Sequence, residues 1–389
     1  MRIGLVAGEA SGDQLGAWLL QGLRQRLPGV RFEGIGGPRM RAEGLVSFHP
    51  MEKLSVHGYV EALRHYREIV GIRNSLKARW RRDPPDLFIG IDAPDFNLNL
   101  EAGLRRRGVP TVQYVGPAVW AWRAGRLRQI RESVSKVLLL FPFEAEIYRR
   151  AGIPAEFVGH PLARLLPPVA ERAAIRERMR LPAAGPVVAL LPGSRVSEVG
   201  ALAQPFVEAA RLIHRQLPDA RFLAPLANRE TRELFEQAYY RDGADPLPLT
   251  ILYGHAHEAL GAADAALVAS GTATLEAALL GCPMVIAYRM APLNWWLIRR
   301  KKILPYVGLP NILAQRFLVP ELLQDDATPE NLARALLNLL RDPVVPGRLA
   351  RIFADIRRQL TEGSEHRAAE AVLPLLARAL RPGAEGAAA

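Results

Sequence analysis

Four short stretches of this 389-residue chain carry residue types that could do chemistry, each where an apolar run gives way to small residues. The first, VAGEASGD at residues 6–13, sets Ser11 and Gly12 beside two carboxylates, Glu9 and Asp13. Small residues where a strand turns into a helix let a ligand approach the backbone, and a helix N-terminus favours anions. Two carboxylates would repel phosphate, so Glu9 and Asp13 suit sugar hydroxyls or a general base better. The competing reading is a tight turn in which Ser11 or Asp13 caps the helix. The second stretch, GIDAPDFN at residues 90–97, holds Asp92 and Asp95 just after an apolar run. Enzymes with α/β sheets place reactive side chains at such strand ends, and an Asp at position 92 can take a proton from an attacking hydroxyl. Asp95 is expected to cap the next helix.

The third stretch, LLPGSRVSEV at residues 190–199, brings backbone N–H groups, a hydroxyl and a guanidinium together at Gly193, Ser194 and Arg195. That set suits a diphosphate. It is not a Walker A loop, because no Lys-Ser/Thr follows at the required spacing. The fourth, VASGTATLEAALLGCPMVIAYR at residues 268–289, offers Ser270, Gly271 and Thr272 to a phosphate, with Glu276 one turn on to accept from ribose hydroxyls. Cys282 behind Gly281 reads as a small buried residue, not a nucleophile. His255 and His257 lack companion ligands, and no Asp-x-Asp pair is present to hold a divalent ion on a diphosphate. The chemistry is therefore expected to need no metal and no cofactor. His160, in FVGHP, is expected to satisfy a backbone carbonyl.

The elements that must position these residues follow from periodicity. Short apolar runs alternate with amphipathic helical patterns, which is the signature of βαβ units and parallel sheets. Strands are expected at 2–7, 87–91, 111–114, 136–140 and 156–158. A second set follows at 187–191, 221–224, 249–253, 265–268 and 284–288. Helices are expected from about 13 to 27 and from 59 to 80, the latter from steps of three and four between its apolar residues. The prolines of PLARLLPPVAERAAIRERMRLPAAGP, after His160, mark a joint. Two Rossmann-like α/β domains facing each other across a cleft are the expected architecture, residues 1–165 and 166–354. A C-terminal helix at about 355–380 is expected to pack back on the first domain, and residues 381–389 to form a disordered tail.

The whole-chain numbers narrow the partners. Lys and Arg total 51 against 39 Asp and Glu, a net charge of +12 that favours anionic partners. One cysteine excludes an intrachain disulfide. No window approaches eighteen uncharged apolar residues, and the N-terminus does not read as a signal peptide, so a cytoplasmic protein is expected. The stretch LNWWLIRRKKI joins Trp295 and Trp296 to Arg299, Arg300, Lys301 and Lys302. Together with the Arg-rich helix at 59–82 and WAWRAGRLRQIR at 120–131, it is a candidate contact with lipid at an anionic membrane surface. Nucleic acid is not expected as a partner, since the basic residues are dispersed and no binding motif appears.

Taken in order, the four stretches together with VGPAVWAWR, FPFE, FVGHP and LPNILAQ…ELLQ resemble the lipid-A-disaccharide synthase family, glycosyltransferase family 19, over nearly the whole chain to about residue 370. The resemblance implies the two-Rossmann architecture called GT-B and an inverting transfer. UDP-2,3-diacylglucosamine would give its sugar to 2,3-diacylglucosamine 1-phosphate, forming a β-1,6-linked disaccharide 1-phosphate and UDP. It implies Asp92 as the base for the acceptor 6-hydroxyl, Glu9 as the other catalytic candidate, and Ser11, Gly12 and Asp13 on the acceptor side. Gly193, Ser194, Arg195, Ser270, Gly271, Thr272 and Glu276 fall on the UDP side, joined by Asn311, Glu321 and Gln324, with Tyr288 and Arg289 as further candidates. A peripheral place on the inner face of the inner membrane is implied, and a homodimer is allowed. The alternative within the class is another UDP-sugar GT-B enzyme with a lipid-linked acceptor.

Overall fold

The computed structural model describes residues 1–54, 59–117, 119, 125–167, 172–182, 184–241, 246–291, 295, 304–362 and 366–379, and describes no side chain for 10, 59–66, 378 and 379. The chain divides into two compact units, Met1–Pro161 with the segment from Glu362 onward, and Leu162–Thr361.

Unit 1 is built on strands β1 (Arg2–Ala7), β2 (Arg31–Ile35), β3 (Leu45–Ser47), β4 (Leu87–Ile91), β5 (Thr111–Tyr114), β6 (Lys136–Leu139) and β7 (Ala155–Phe157). They form one sheet in the order β3-β2-β1-β4-β5-β6-β7, with every pairing parallel. A parallel sheet is covered on both faces, so its central strands are apolar throughout; all five residues of β4 are buried. Its helices are α1 (Ala10–Arg26), α2 (Pro38–Ala42), α3 (Tyr59–Arg82), α4 (Pro94–Arg105), α5 (Arg126–Ser133) and α6 (Glu144–Arg150). The apolar positions Ile72, Leu76 and Trp80 of α3 are buried in this core. Trp80 meets Phe88 edge-on and donates its indole N–H to Glu33 at 2.8 Å. Over its described side chains the apolar spacing of this Arg-rich helix therefore serves packing.

Unit 2 repeats the plan. Its strands are β8 (Val187–Leu191), β9 (Arg221–Leu226), β10 (Leu249–Tyr253), β11 (Ala265–Ala269), β12 (Met284–Tyr288) and β13 (Glu321–Leu323). The sheet order is β10-β9-β8-β11-β12-β13, again all parallel. The helices are α7 (Leu162–Leu165), α8 (Arg172–Arg178), α9 (Val196–Gln216), α10 (Arg229–Tyr240), α11 (Ala256–Ala262), α12 (Thr272–Leu279), α13 (Leu309–Ala314), α14 (Pro329–Arg341) and α15 (Val345–Leu360).

The chain crosses between units after Pro161 and returns after Thr361. The segment read as one C-terminal helix from about 355 is two. α15 stays with unit 2, where the Arg357 guanidinium donates to the carbonyls of Leu166, Pro167 and Leu279 at 2.9–3.0 Å. The last helix, α16 (Arg367–Ala379), lies against unit 1, burying Ala369, Val372 and Leu376 in its core.

Candidate functional site

In an open parallel sheet, ligands bind outside the carboxyl ends of the strands where the strand order reverses. Unit 1 reverses between β1 and β4, and unit 2 between β8 and β11. The four chemically interesting stretches are the four loops that leave those strands: residues 8–9 after β1, 92–93 after β4, 192–195 after β8 and 270–271 after β11.

In unit 1 the two loops touch. A Cβ on Gly8 would lie 2.9 Å from the Cβ of Ala93, so a larger residue at position 8 would push the loops apart. Asp92 follows β4 with φ +52°, a left-handed conformation rare for a non-glycine residue. Glu9 is the N-cap position of α1 and is half-buried, with no capping bond from its side chain.

Three expectations are corrected here. Asp13 is 3% exposed, and its carboxylate accepts from the N–H groups of Arg39 and Met40 at 3.0 Å, so it caps α2 and offers no face to an acceptor. Ser11 lies inside α1 and does not cap it, and Gly12 is buried. Asp95 is not a cap either: Ala93 holds that position, and Asp95, in the first turn of α4, pairs with Arg126.

In unit 2, Gly193, Ser194, Arg195, Ser270, Gly271, Thr272 and Glu276 line a single cavity of about 570 Å³. Its two sides differ. On the β8 side the N–H groups of Ser194 and Arg195 donate to Glu198 at 3.1 and 3.3 Å, and the Arg195 guanidinium meets the same carboxylate at 3.3 Å. Those backbone donors, expected to serve a diphosphate, are already engaged by a carboxylate; the exposed Arg195 side chain is the group that can change partner. On the β11 side, Gly271 has φ +153° and open space where a Cβ would stand, and it leads into α12, whose first N–H groups have no partner inside the helix. The N-terminus of α12 and the exposed Arg195 guanidinium are thus the two groups of this cavity suited to an anion.

Glu276 meets the imidazole of His257 at 3.4 Å in the same cavity, and that hydrogen bond raises the pKa of His257. His255 also lines the cavity, turned into a left-handed conformation with φ +58°. Sequence reasoning weighed this His-x-His pair only as metal ligands. The available signal was its position, directly after a strand. Among the described residues no group of three or more His, Cys, Asp and Glu could hold a metal ion.

The structure places the remaining candidates outside this cavity. Asn311 is fully buried: its Nδ2 donates to Val319 and Glu321, and its Oδ1 accepts from Leu318 and Val319. Glu321 accepts from the N–H groups of Val307 and Gly308 at 2.8–3.1 Å. Through these bonds the two residues brace the 307–319 segment. The Gln324 amide spans the N–H and carbonyl of Met290 at 3.1 and 3.0 Å. Arg289 donates to the carbonyls of Gln324 and Ala327. Burial pushes the Cys282 thiol up to about 12, which keeps it protonated and inert. Trp295 is half-buried; Trp296, Arg299, Arg300, Lys301 and Lys302 lie outside the described residues.

Two Rossmann-like units with this strand order define the GT-B class, and solved structures share it. A calicheamicin glycosyltransferase matches with TM-score 0.60 at 18% identity, covering 98% of this chain and 99% of its own. MurG of Acinetobacter baumannii matches with TM-score 0.54 at 14% identity, covering 97% and 99%. The UDP-GlcNAc 2-epimerase of Neisseria meningitidis, solved with UDP-GlcNAc bound, matches with TM-score 0.63 at 12% identity, covering 97% and 100%.

Sequence relatives are far more similar. The family model for lipid-A-disaccharide synthetase matches residues 3–372. Lipid-A-disaccharide synthases of Dechloromonas aromatica and Aromatoleum aromaticum are 52% and 54% identical over 377 residues, covering 97% of this chain and 99% and 96% of theirs. The chain belongs to the lipid-A-disaccharide synthase family.

Proposed function

We propose that the chain transfers the sugar of UDP-2,3-diacylglucosamine to the 6-hydroxyl of 2,3-diacylglucosamine 1-phosphate, giving the β-1,6-linked disaccharide 1-phosphate and UDP. The observation that carries this reading, in a chain of this family, is the gathering of Arg195, Ser270, Gly271, Thr272 and Glu276 round one cavity at the unit 2 switch point. The diphosphate takes the α12 N-terminus and draws Arg195 from Glu198, and the ribose hydroxyls donate to Glu276. Asp92 takes the proton of the acceptor hydroxyl as its oxygen attacks the anomeric carbon from the face opposite the diphosphate. The bond from that carbon to the β-phosphate oxygen breaks in the same step, so the configuration inverts and the charge leaves on UDP. Glu9 is the second carboxylate of the unit 1 switch point and a contact for acceptor hydroxyls.

The substrates carry acyl chains and phosphate, so the enzyme works at the inner face of the inner membrane, held there peripherally. No helix among the described residues is long and apolar enough to cross a membrane. The +12 charge and the LNWWLIRRKKI stretch support an anionic surface as the docking partner.

The deciding assay supplies both substrates in detergent without divalent metal. Disaccharide and UDP should appear in equal amounts; neither product would sink the reading. Asp92→Asn and Arg195→Ala should each lower turnover by about 10²-fold or more while the fold persists. Replacing Trp295 and Trp296 together by Ser should reduce sedimentation with anionic vesicles. Unchanged sedimentation would remove that stretch from the membrane contact.

A further inference from the structure

Asp92 and Ala93 form a consecutive left-handed pair with no glycine, φ +52° and +40°. Such a conformation persists only when its surroundings hold it. Here the holding groups are two wholly buried amides. Asn97 Nδ2, from α4, donates to the Asp92 carbonyl at 2.9 Å and to the Val6 carbonyl at 3.2 Å. Gln113 Nε2, from β5, donates to the same Asp92 carbonyl at 3.0 Å. The Asp92 N–H in turn donates to the Tyr114 carbonyl at 2.8 Å.

A carbonyl oxygen has two lone pairs, and both are matched here by side chains from different elements. The peptide on either side of the Asp92 Cα is thus fixed, one through its N–H and the other through its carbonyl. The amide oxygens of Asn97 and Gln113 meet no partner among the described residues. A buried amide used by its donor end alone is a costly core residue, one that an apolar residue of the same shape would replace at a gain in stability. What it supplies is aim.

We propose that Asn97 and Gln113 are positioning residues, a two-amide clamp that fixes the Asp92–Ala93 turn and with it the placement of the carboxylate that takes the acceptor proton. The inference rests on the reading of Asp92 as the base. It also gives α4 and β5 a part in the reaction that their burial conceals.

The test uses the full-length protein with Gln113→Met and Asn97→Leu, each close in shape and lacking the amide donors. Misplacing a reacting group by about 1 Å costs on the order of 10²-fold in rate. Each folded variant should lose about that factor in kcat while KM for the UDP-sugar stays within about twofold, since the donor binds unit 2. In an Asp92→Asn background, Gln113→Met should cost less than about twofold more, because no base remains to be aimed. If Asn97→Leu does not fold, Gln113→Met decides alone. A folded Gln113→Met enzyme with kcat within about threefold of the parent overturns the clamp, as does an equal loss with and without the Asp92 carboxylate. An Asp92→Asn enzyme with parental turnover would instead overturn the base itself.

Discussion

Glu101 and His160 are buried ionisable residues of unit 1 that set opposite limits on its pH range. Glu101 is fully buried, and desolvation raises its carboxyl well above its ordinary 4.5. The folded state then binds the proton more tightly than the unfolded chain. Its stabilising effect is complete below pH 4.5 and is lost as pH rises through the folded pKa. Glu101→Gln keeps the shape without the ionisation, so its melting temperature should gain on the parent steadily as pH rises from 4; a constant difference would refute the buried neutral acid. His160 has the reverse sign. Burial lowers its imidazole from 6.5 to about 4, so its contribution is present above pH 6.5 and lost as pH falls toward 4. That shift corresponds to about 3 kcal/mol. His160→Gln should flatten the acid side of the stability profile, read from urea midpoints between pH 4 and 7. At this scale the sequence exposed Arg195, Ser270 and Glu276, because small and charged residues after an apolar run stand out. It did not show that Ser270, Asn311 and Asp13 each hydrogen-bond to the backbone of another segment, since such partners are not legible in a sequence.

The central strands were legible as elements because parallel strands buried on both faces are unbroken apolar runs. β2, β3 and β13 were not: β2 is interrupted by Glu33 and Gly34, and β3 and β13 are as short as β7 without being read. Gly34 explains why a good strand carries so poor a signature. Its φ is +146°, and a Cβ there would stand 1.9 Å from the Leu5 carbonyl oxygen, so β2 can lie against β1 only with glycine at this position. Gly34→Ala should destabilise unit 1 by roughly 3 kcal/mol or more, through steric and backbone strain together. Gly271 offers the contrast, since nothing crowds its Cβ position. Gly271→Ala should fold, lose about 1–3 kcal/mol to backbone strain, and weaken UDP binding at least about tenfold, because its methyl group stands at the α12 N-terminus. Calorimetry with UDP checks this, and parental affinity would move the diphosphate away from α12.

At the scale of the molecule, unit 1 is discontinuous in sequence. The proline-rich joint was visible, and so was the return of a C-terminal helix to the first domain; that the segment is two helices was not, since α15 and α16 are both amphipathic and only their partners distinguish them. α16 fills a place in the unit 1 core, with Val372 0% and Leu376 2% exposed, and Arg26 pairs with Glu370 beside them. At about 1.5–3 kcal/mol for each large apolar side chain, removing it costs on the order of 5 kcal/mol, comparable with the total stability of many domains. A chain ending at Thr361 should keep UDP binding in unit 2 while unit 1 melts earlier or aggregates; two unaltered transitions would refute this. The double crossing also imposes a timetable on biosynthesis. The ribosome finishes every residue of unit 2 before it makes the helix that closes unit 1, although unit 1 begins emerging first. Unit 1 therefore stays incomplete while all of unit 2 is made, and the apolar face that α16 covers must be shielded over that interval.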